Sequence, residues 1–583
     1  MKTPEQKLIV LGWCLLGVLL PGLWHLPELW QLAQSSPLPT DTRLTYLPYA
    51  ERLLEDPIGY FSNPEHLYVP PGTPIYMALL KANLPAILWA NLTLSAGIIV
   101  LLFDCGRRLS GFLAGTMMSW FYVALSGLPP LMALPLSEAP YLFLTACWLW
   151  SCVLVWSNPD RIWPLWLGAL TLSASVLTRG LYLYWLPIAL VILAVLAILL
   201  RDASRQRAGK LLLMHALAVL PVLAFITHNQ LRFDFAGIST GGGIALYLGS
   251  NPITFGYEPL YSGLGYDEWM VTGGVESHLT LASDAKLVRV AKAMLLDMPL
   301  PVLLDLYSHK LGANLFFSQA NLTTELFNDR SNRLVLLLLA LIGCWHGRKH
   351  LIGWMLFGIS IFLLLLLSLV MHNPRYSHGA LDLPLIILAG MGTVHIWQTH
   401  HRYLGIGLIL GACSLLIFLG HWQLRHAGPL LPRLETGHAI EQLRANGNQV
   451  NFAGLTEDPM LTESRVQKSP AQLIWPELEV PVIGGTPVVS LDINRLGDQC
   501  SGITFAYHRD NGEVHDYWLE TRHLSFPRTL HIGGHWLGYL AETGKLLIEF
   551  HCPPGQSLAI GGLSINNPSM GRYYVNQGVL ENN

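Results

Sequence analysis

About eleven apolar stretches, most of them near the ~20 residues that carry a helix across a bilayer, constrain this chain more than any other feature. They fall near Leu8–Leu26, Leu84–Phe103, Phe112–Leu128, Leu136–Trp156, Trp163–Leu177, Leu181–Leu200, Leu211–Ile226, Leu334–Trp345, Leu351–Met371, Leu381–Trp397 and Leu404–Trp422. The Leu334 stretch is short, so its helix is expected to start a turn earlier, with Arg330 and Arg333 snorkelling to the interface. Composition agrees with this reading. Only 13% of the 583 residues are charged and 52% are hydrophobic, with mean hydropathy +0.41, whereas soluble domains carry roughly 25% charge. A net charge of -3 is too small to direct the chain to nucleic acid, and no such partner is expected. Met1–Leu26 has lysines and an apolar run but no small-x-small cleavage site, so a retained first helix is expected.

Lysine and arginine in the short loops set the orientation. With the N-terminus cytoplasmic, alternate loops hold Arg107 and Arg108, then Arg161, then Arg201, Arg205, Arg207 and Lys210, then Arg348 with Lys349, then Arg402. The short loops opposite hold only Arg179 and Arg375. This bias places external loops 27–74 and 228–332, and everything after Trp422, outside the cytoplasm. The fold class expected is a polytopic α-helical membrane protein: a transmembrane domain over 1–424 and an extracytoplasmic domain over 425–583.

In the second external loop, the glycines of Phe235–Gly256 and the Asn251-Pro252 step forbid a long helix and read as strand and turn. Asp284–Phe317 reads as two helices broken at Pro299 and Pro301. Leu287, Ala291 and Leu295 share a face of the first, and the second, amphipathic and interfacial, carries Tyr307 and Lys310. After Arg425 the composition becomes that of a soluble domain. Alternating runs at Val488–Ile493, Gly502–Tyr507, Lys545–Phe550 and Ser557–Ile565 read as strands of a β-sandwich. Cys500 and Cys552 lie here and have two readings, a disulfide or two structural thiols. The other six cysteines, in or beside the spans, read as small apolar fillers.

Side chains suited to chemistry gather in Pro37–Pro74: Asp41, Arg43, Tyr46, Tyr49, Glu65, His66 and Tyr68. Arg179, Glu138 and Arg375 sit at span ends. Read alone, Asp41 is an N-cap for Thr42–Leu54; Arg179 and Arg375 anchor span ends to headgroups or bind a phosphate; Lys310 snorkels or binds a phosphate. Glu138, in LPLSEAP, reads as a carboxylate favouring a helix N-terminus. Glu65 and His66 form a solvated face or a site, and Asn251 serves a turn. Tyr517, Trp518 and Trp536 read as core packing or as glycan-stacking residues.

The order of these parts resembles the GT-C glycosyltransferases that use lipid-linked sugars, in particular their protein mannosyltransferase and aminoarabinose transferase branch. The likeness covers roughly Met1–Trp422. It is carried by Asp41 with Tyr46 and Ala50, by PPGTPIYMALL at Pro70–Leu80, by GGGIALYLGSNPITFG at Gly241–Gly256, and by NPRYSHGALDLPLIILAG at Asn373–Gly390. The family's first loop usually reads Asp-Glu; here Thr42 follows Asp41, leaving Glu65 as the candidate second carboxylate. The resemblance implies transfer of one hexosyl or pentosyl unit from a polyprenyl-phosphate donor to a hydroxyl of a protein, lipid or glycan acceptor, with Asp41 as general base. Arg43, Glu65, His66, Tyr68, Arg179, Asn251, Lys310, Arg375 and Tyr376 are then the candidates for holding donor and phosphate, arginine being apt because its planar fork donates two hydrogen bonds. No metal is required by a monophosphate donor, and no Asp-x-Asp appears in the first loop. The expected location is the bacterial inner (plasma) membrane, with the site on the periplasmic side. The rival readings are a related oligosaccharide ligase and a transporter or flippase; transporters carry ionisable residues in mid-span, and here the span centres read as nearly free of charge.

Overall fold

A computed structural model describes residues 4–35, 38–39, 41–250, 280–298, 300–315, 330–348, 351–399, 439–444, 450–479, 488–510, 512, 514–521, 526–533 and 543–568. The first part is helical. Its elements in order are α1, whose apolar length is Leu8–Gln34, then α2 Leu47–Glu55, α3 Gly72–Leu79, α4 Leu84–Ser110, α5 Phe112–Ala124, α6 Leu128–Ala133, α7 Glu138–Ser157, α8 Trp163–Thr178, α9 Trp185–Leu199 and α10 Asp202–Phe233. After these come α11 Gly242–Gly249, α12 Leu281–Asp297, α13 Leu300–Leu315, α14 Arg330–Gly347, α15 Leu351–Leu369 and α16 Pro374–Thr399.

Among the described residues, six helices are long and apolar enough to cross a membrane: Leu8–Gln34, α4, α7, α10, α15 and Arg375–Thr399. Four shorter apolar helices, α5, α8, α9 and Asn332–Gly347, accompany them. Ten of the expected spans thus fall on helices, and Leu404–Trp422 lies outside the described residues. The bundle is apolar on both sides, as an integral membrane protein must be. Trp148, Tyr122, Tyr141 and Tyr182 are fully buried, while Val191, Ile198, Leu199 and Leu220 stand more than half exposed on the outer surface. Boundaries follow local chemistry. Asn83 caps α4 by accepting from the Ala86 N–H at 3.0 Å, and Gly111, at φ +96°, turns the chain from α4 into α5.

Two expectations change. The glycine run is not a strand: α11 is an eight-residue helix. Its glycines serve close packing, because a Cβ on Gly243 would collide with the Asp284 backbone and side chain, and the Gly243 N–H donates to Asp284 Oδ1 at 2.6 Å. Nor does Arg333, near the start of α14, snorkel to the interface: it is buried. Arg333 of α14 pairs with Asp382 of α16, both buried, and Asp382 Oδ2 also accepts from the Gly127 N–H at 2.9 Å and lies 3.1 Å from His378 Nδ1. A buried pair whose partners come from different helices ties the bundle together at one register.

The α12–α13 pair forms as the proline punctuation dictates, with Leu287 and Ala291 fully buried. The C-terminal part is antiparallel β. Its strands are β1 Ala439–Arg444, β2 Asn451–Ala453, β3 Ser464–Arg465, β4 Ala471–Glu479, β5 Val488–Leu496, β6 Gly502–Arg509, β7 Val514–Glu520, β8 Arg528–Gly533, β9 Thr543–His551 and β10 Ser557–Pro568. One sheet runs β1-β10-β5-β8 with β3 paired to β10; the other runs β2-β4-β9-β6-β7. Both sheets send alternate residues into one apolar core, including Leu491, Ile493 and Leu563 from the first and Phe505, Ile548 and Phe550 from the second. All four expected strand runs are found. Cys500 and Cys552 are joined by a disulfide.

Candidate active site

The site forms where the loop after α1 meets the starts of α7 and α16 and the end of α8. Thr42 and Arg43 both donate their N–H groups to Pro39 O at 3.0 Å, and the buried Thr42 hydroxyl donates to Pro135 O at 2.6 Å. These bonds pin the chain around Asp41 against the turn that leads into α7. Farther along the loop, Gly72 lies so close to Thr178 at the end of α8 that a Cβ there would collide with its backbone.

Asp41 makes no capping hydrogen bond. Its half-exposed carboxylate turns instead to Arg375, whose Nη1 donates to Oδ2 at 2.9 Å. Arg375 is placed by the sequence Asn373-Pro374-Arg375. Asn373 caps α16, accepting from the Arg375 N–H at 2.8 Å, and Pro374 opens the helix. The same guanidinium donates through Nε to Glu138 Oε1. Arg179, at the residue where α8 ends and the chain turns extended, donates through Nη1 to the same oxygen at 2.5 Å. Glu138 is fully buried. A lone buried carboxylate is costly, and two guanidinium groups on one oxygen are what make it tolerable. The remaining oxygen, Oε2, accepts from the Ser137 hydroxyl at 3.3 Å.

Aromatic rings close the group. Arg179 lies over the Tyr376 ring at 4.6 Å and the Tyr141 ring at 5.9 Å, and Arg375 lies 5.8 Å from the Tyr376 centroid. Burial raises the Tyr68 phenol above its ordinary value, and the charge of Asp41 nearby pushes it further the same way. The formal charges of Asp41, Glu138, Arg179 and Arg375 sum to zero, so the cluster is balanced, with the two cations at the entrance of the helical bundle.

Asp41, Tyr68, Arg179, Arg375 and Tyr376 therefore come together; the other candidates do not join them. Arg43 is exposed, and no ion pair or hydrogen bond engages its side chain among the described residues. Glu65 is exposed and pairs with Arg52 at 2.9 Å. The second carboxylate on Arg375 is Glu138, and the first loop contributes only Asp41. His66 is buried among the rings of Tyr60, Phe61, Phe225 and Phe233, with Nδ1 2.5 Å from Asn63 O, and burial lowers its imidazole pKa. It packs the loop rather than facing solvent. Asn251 lies outside the described residues. Lys310 does not snorkel: it is fully buried, donates to Gly249 O at 2.7 Å, and sits 5.5 Å from the Tyr307 ring. Burial pulls its ammonium down to about 7. Nearby, His372 Nδ1 lies 2.9 Å from Asn314 Oδ1.

Glu138, which the sequence reads as a helix-opening carboxylate, joins the cluster instead. Its only signal was a carboxylate opening an apolar span on the face that also carries Arg179 and Arg375. Among the described residues no three His, Cys, Asp or Glu side chains converge to hold a metal.

No family model matches the chain, and no curated protein does. Among solved structures it is similar to the oligosaccharyltransferase of Archaeoglobus fulgidus in its apo form, at 11% identity and TM-score 0.40, covering 70% of this chain and 58% of that one. A second structure of that enzyme, with an inhibitory peptide and a dolichol-phosphate, gives 11% identity and TM-score 0.38 over 68% of this chain and 55% of that one. The arabinosyltransferase EmbB of Mycobacterium smegmatis gives 11% identity and TM-score 0.18 over 93% and 66%. The chain thus spans little more than half the length of the archaeal enzyme. What it is similar to, in outline only, are glycosyltransferases; at these scores the likeness carries no argument about its chemistry.

Proposed function

We propose that this chain is a membrane glycosyltransferase that moves one sugar from a polyprenyl-phosphate donor to a hydroxyl on an extracytoplasmic acceptor. The observation that carries the reading is the bridge Asp41–Arg375–Glu138–Arg179 at the mouth of the helical bundle. It links a partly exposed carboxylate, through Arg375 and Glu138, to a second arginine, a pairing of base and cations suited to a lipid-phosphate donor.

In this reaction Asp41 takes the proton from the acceptor hydroxyl as its oxygen bonds to the anomeric carbon. The bond from that carbon to the phosphate oxygen breaks, and the electron pair leaves with the lipid phosphate. Arg375 and Arg179 stabilise the charge that develops there. Glu138 holds both guanidinium groups in place, so they need no reorganisation as the reaction proceeds. A phosphate seated on Arg375 competes with Asp41 for Nη1 and leaves the carboxylate available as a base. Tyr68 and Tyr376 line the sugar side. Lys310 is proposed as a further phosphate contact, reached when the donor displaces its bond to Gly249.

The same reading takes the four shorter apolar helices and Leu404–Trp422 as spans, giving about eleven. It takes the two C-terminal sheets as a sandwich, and it sets the site on the periplasmic face of a bacterial inner membrane. The test is purified chain in lipid nanodiscs with radiolabelled polyprenyl-monophosphate and polyprenyl-diphosphate sugars. Release of lipid phosphate with transfer of label from the monophosphate supports the proposal. Transfer from the diphosphate alone assigns a ligase. Movement of intact donor between leaflets without cleavage assigns a flippase.

A further inference from the structure

The two faces of the second β-sheet have different chemistry. Inward, Ile503, Phe505 and Tyr507 of β6 and Leu546, Ile548 and Phe550 of β9 are all fully buried. That face supplies the core. Outward, period-two alternation presents a row of another kind. Trp518 of the edge strand β7 pairs with Thr504 of β6; Thr504 pairs with Glu549 of β9, and Glu549 with Gln472 of β4. Directly paired residues share a face, so these side chains form one line across four strands, about 14 Å long at the usual strand spacing.

Trp518 is 48% exposed in the whole chain. Its ring rests on Gly502 of the neighbouring strand, in the space a Cβ would occupy, which is the use a glycine inside a strand commonly has. Behind it, the His551 ring stands edge-on at 4.8 Å. His551 Nε2 is 2.9 Å from the Thr504 hydroxyl and 3.9 Å from Glu549 Oε2, and the Gln472 amide donates to Glu549 Oε1 at 2.8 Å. Each polar group is held by its neighbours before any ligand arrives, so ordering them on binding costs little.

We propose that this outer face binds a neutral, pyranose-containing glycan, with Trp518 as the stacking platform. A pyranose ring has an apolar C–H face and a rim of hydroxyls. An exposed indole matches the first, and a carboxylate, a carboxamide and a hydroxyl in one line, with an imidazole beside them, match the second. Charge argues against the polyanionic alternatives. Asp516 and Glu549 share the face, with Lys545 as the cation beside them, so neither anionic headgroups nor nucleic acid find a cationic surface there. The inference does not rest on the transfer chemistry at Asp41.

The test uses the full chain in nanodiscs and soluble oligosaccharides of β-linked glucose, α-linked mannose and β-linked N-acetylglucosamine, read by saturation-transfer NMR and calorimetry. At least one oligosaccharide is expected to bind saturably. Trp518→Ala should weaken that binding by about tenfold or more, Glu549→Gln should weaken it severalfold, and Asp41→Asn should leave it unchanged. Glu549→Gln and Gln472→Met keep the proposal testable should Trp518→Ala disturb β7. Absence of binding to all three sugars, or binding indifferent to both Trp518→Ala and Glu549→Gln, overturns it. Lost transfer in Asp41→Asn with glycan binding intact separates this site from the one at the membrane.

Discussion

Arg375 reaches across 334 positions of sequence to meet Asp41, Nη1 to Oδ2 at 2.9 Å, while its Nε holds the fully buried Glu138. One guanidinium thus joins the proposed base on the loop after α1 to the ionic anchor of the bundle. The position of Asp41 depends on α16, and the position of α16 depends on a carboxylate at the start of α7.

Glu138 is therefore expected to matter for both fold and chemistry, and two substitutions separate these roles. Glu138→Ala leaves Arg179 and Arg375 without their buried counter-charge and should destabilise the chain by about 3–5 kcal/mol, read as a lowered unfolding temperature in detergent. Glu138→Gln keeps the shape and one acceptor oxygen. It should fold with a smaller loss while donor turnover falls about a hundredfold or more, because the arginines are no longer fixed. Wild-type turnover in Glu138→Gln would remove the anchor from the account.

Lys310 gives a pH dependence whose sign can be worked out. Burial lowers its pKa from 10.5 to about 7, so between those values the unfolded chain holds a proton that the folded chain has released. The destabilisation is complete below about 7 and is relieved as the pH rises toward 10.5, so stability should increase with pH across that window. Lys310→Met should flatten that increase. A bound phosphate favours the charged ammonium, so donor binding above pH 7 should take up a proton, which calorimetry in buffers of different ionisation enthalpy detects. A pH-independent stability, equal in wild type and Lys310→Met, would show that the ammonium is not desolvated.

Much of this arrangement was legible in the sequence because it is local. Alternation gave the strands of the second part, the prolines separated α12 from α13, and apolar length located ten helices. What was not legible depends on contacts between distant residues. Glu138 looked like a helix-opening carboxylate, since nothing in LPLSEAP reveals two arginines arriving from α8 and α16. His66 looked exposed because its aromatic surroundings include Phe225 and Phe233, more than 150 residues away in sequence. Arg333 looked like a snorkelling span end, and Asp382 drew no notice, because only the packing of α14 on α16 pairs them. The helix at Gly242–Gly249 was hidden by its glycines. They signal a turn by propensity, yet here they let the helix approach Asp284.

The Cys500–Cys552 disulfide links residues 52 apart and gathers β6 and β9 at one end. Closing a loop of that size restricts the unfolded chain by about 4 kcal/mol on the entropic model. Cys500→Ser with Cys552→Ser should therefore lower the unfolding temperature of the β part and increase its proteolysis, with the helical part unaffected. Equal protease resistance of the double variant would show that the core alone suffices.

The central claim is that Asp41 takes the proton from the acceptor, and Asp41→Asn in nanodiscs tests it most directly, with donor binding and sugar transfer measured on the same sample. The account predicts transfer reduced by about 10²–10⁴-fold, with donor affinity kept or improved because Arg375 is freed from its carboxylate. Transfer at the wild-type rate in a variant that binds donor normally would contradict it.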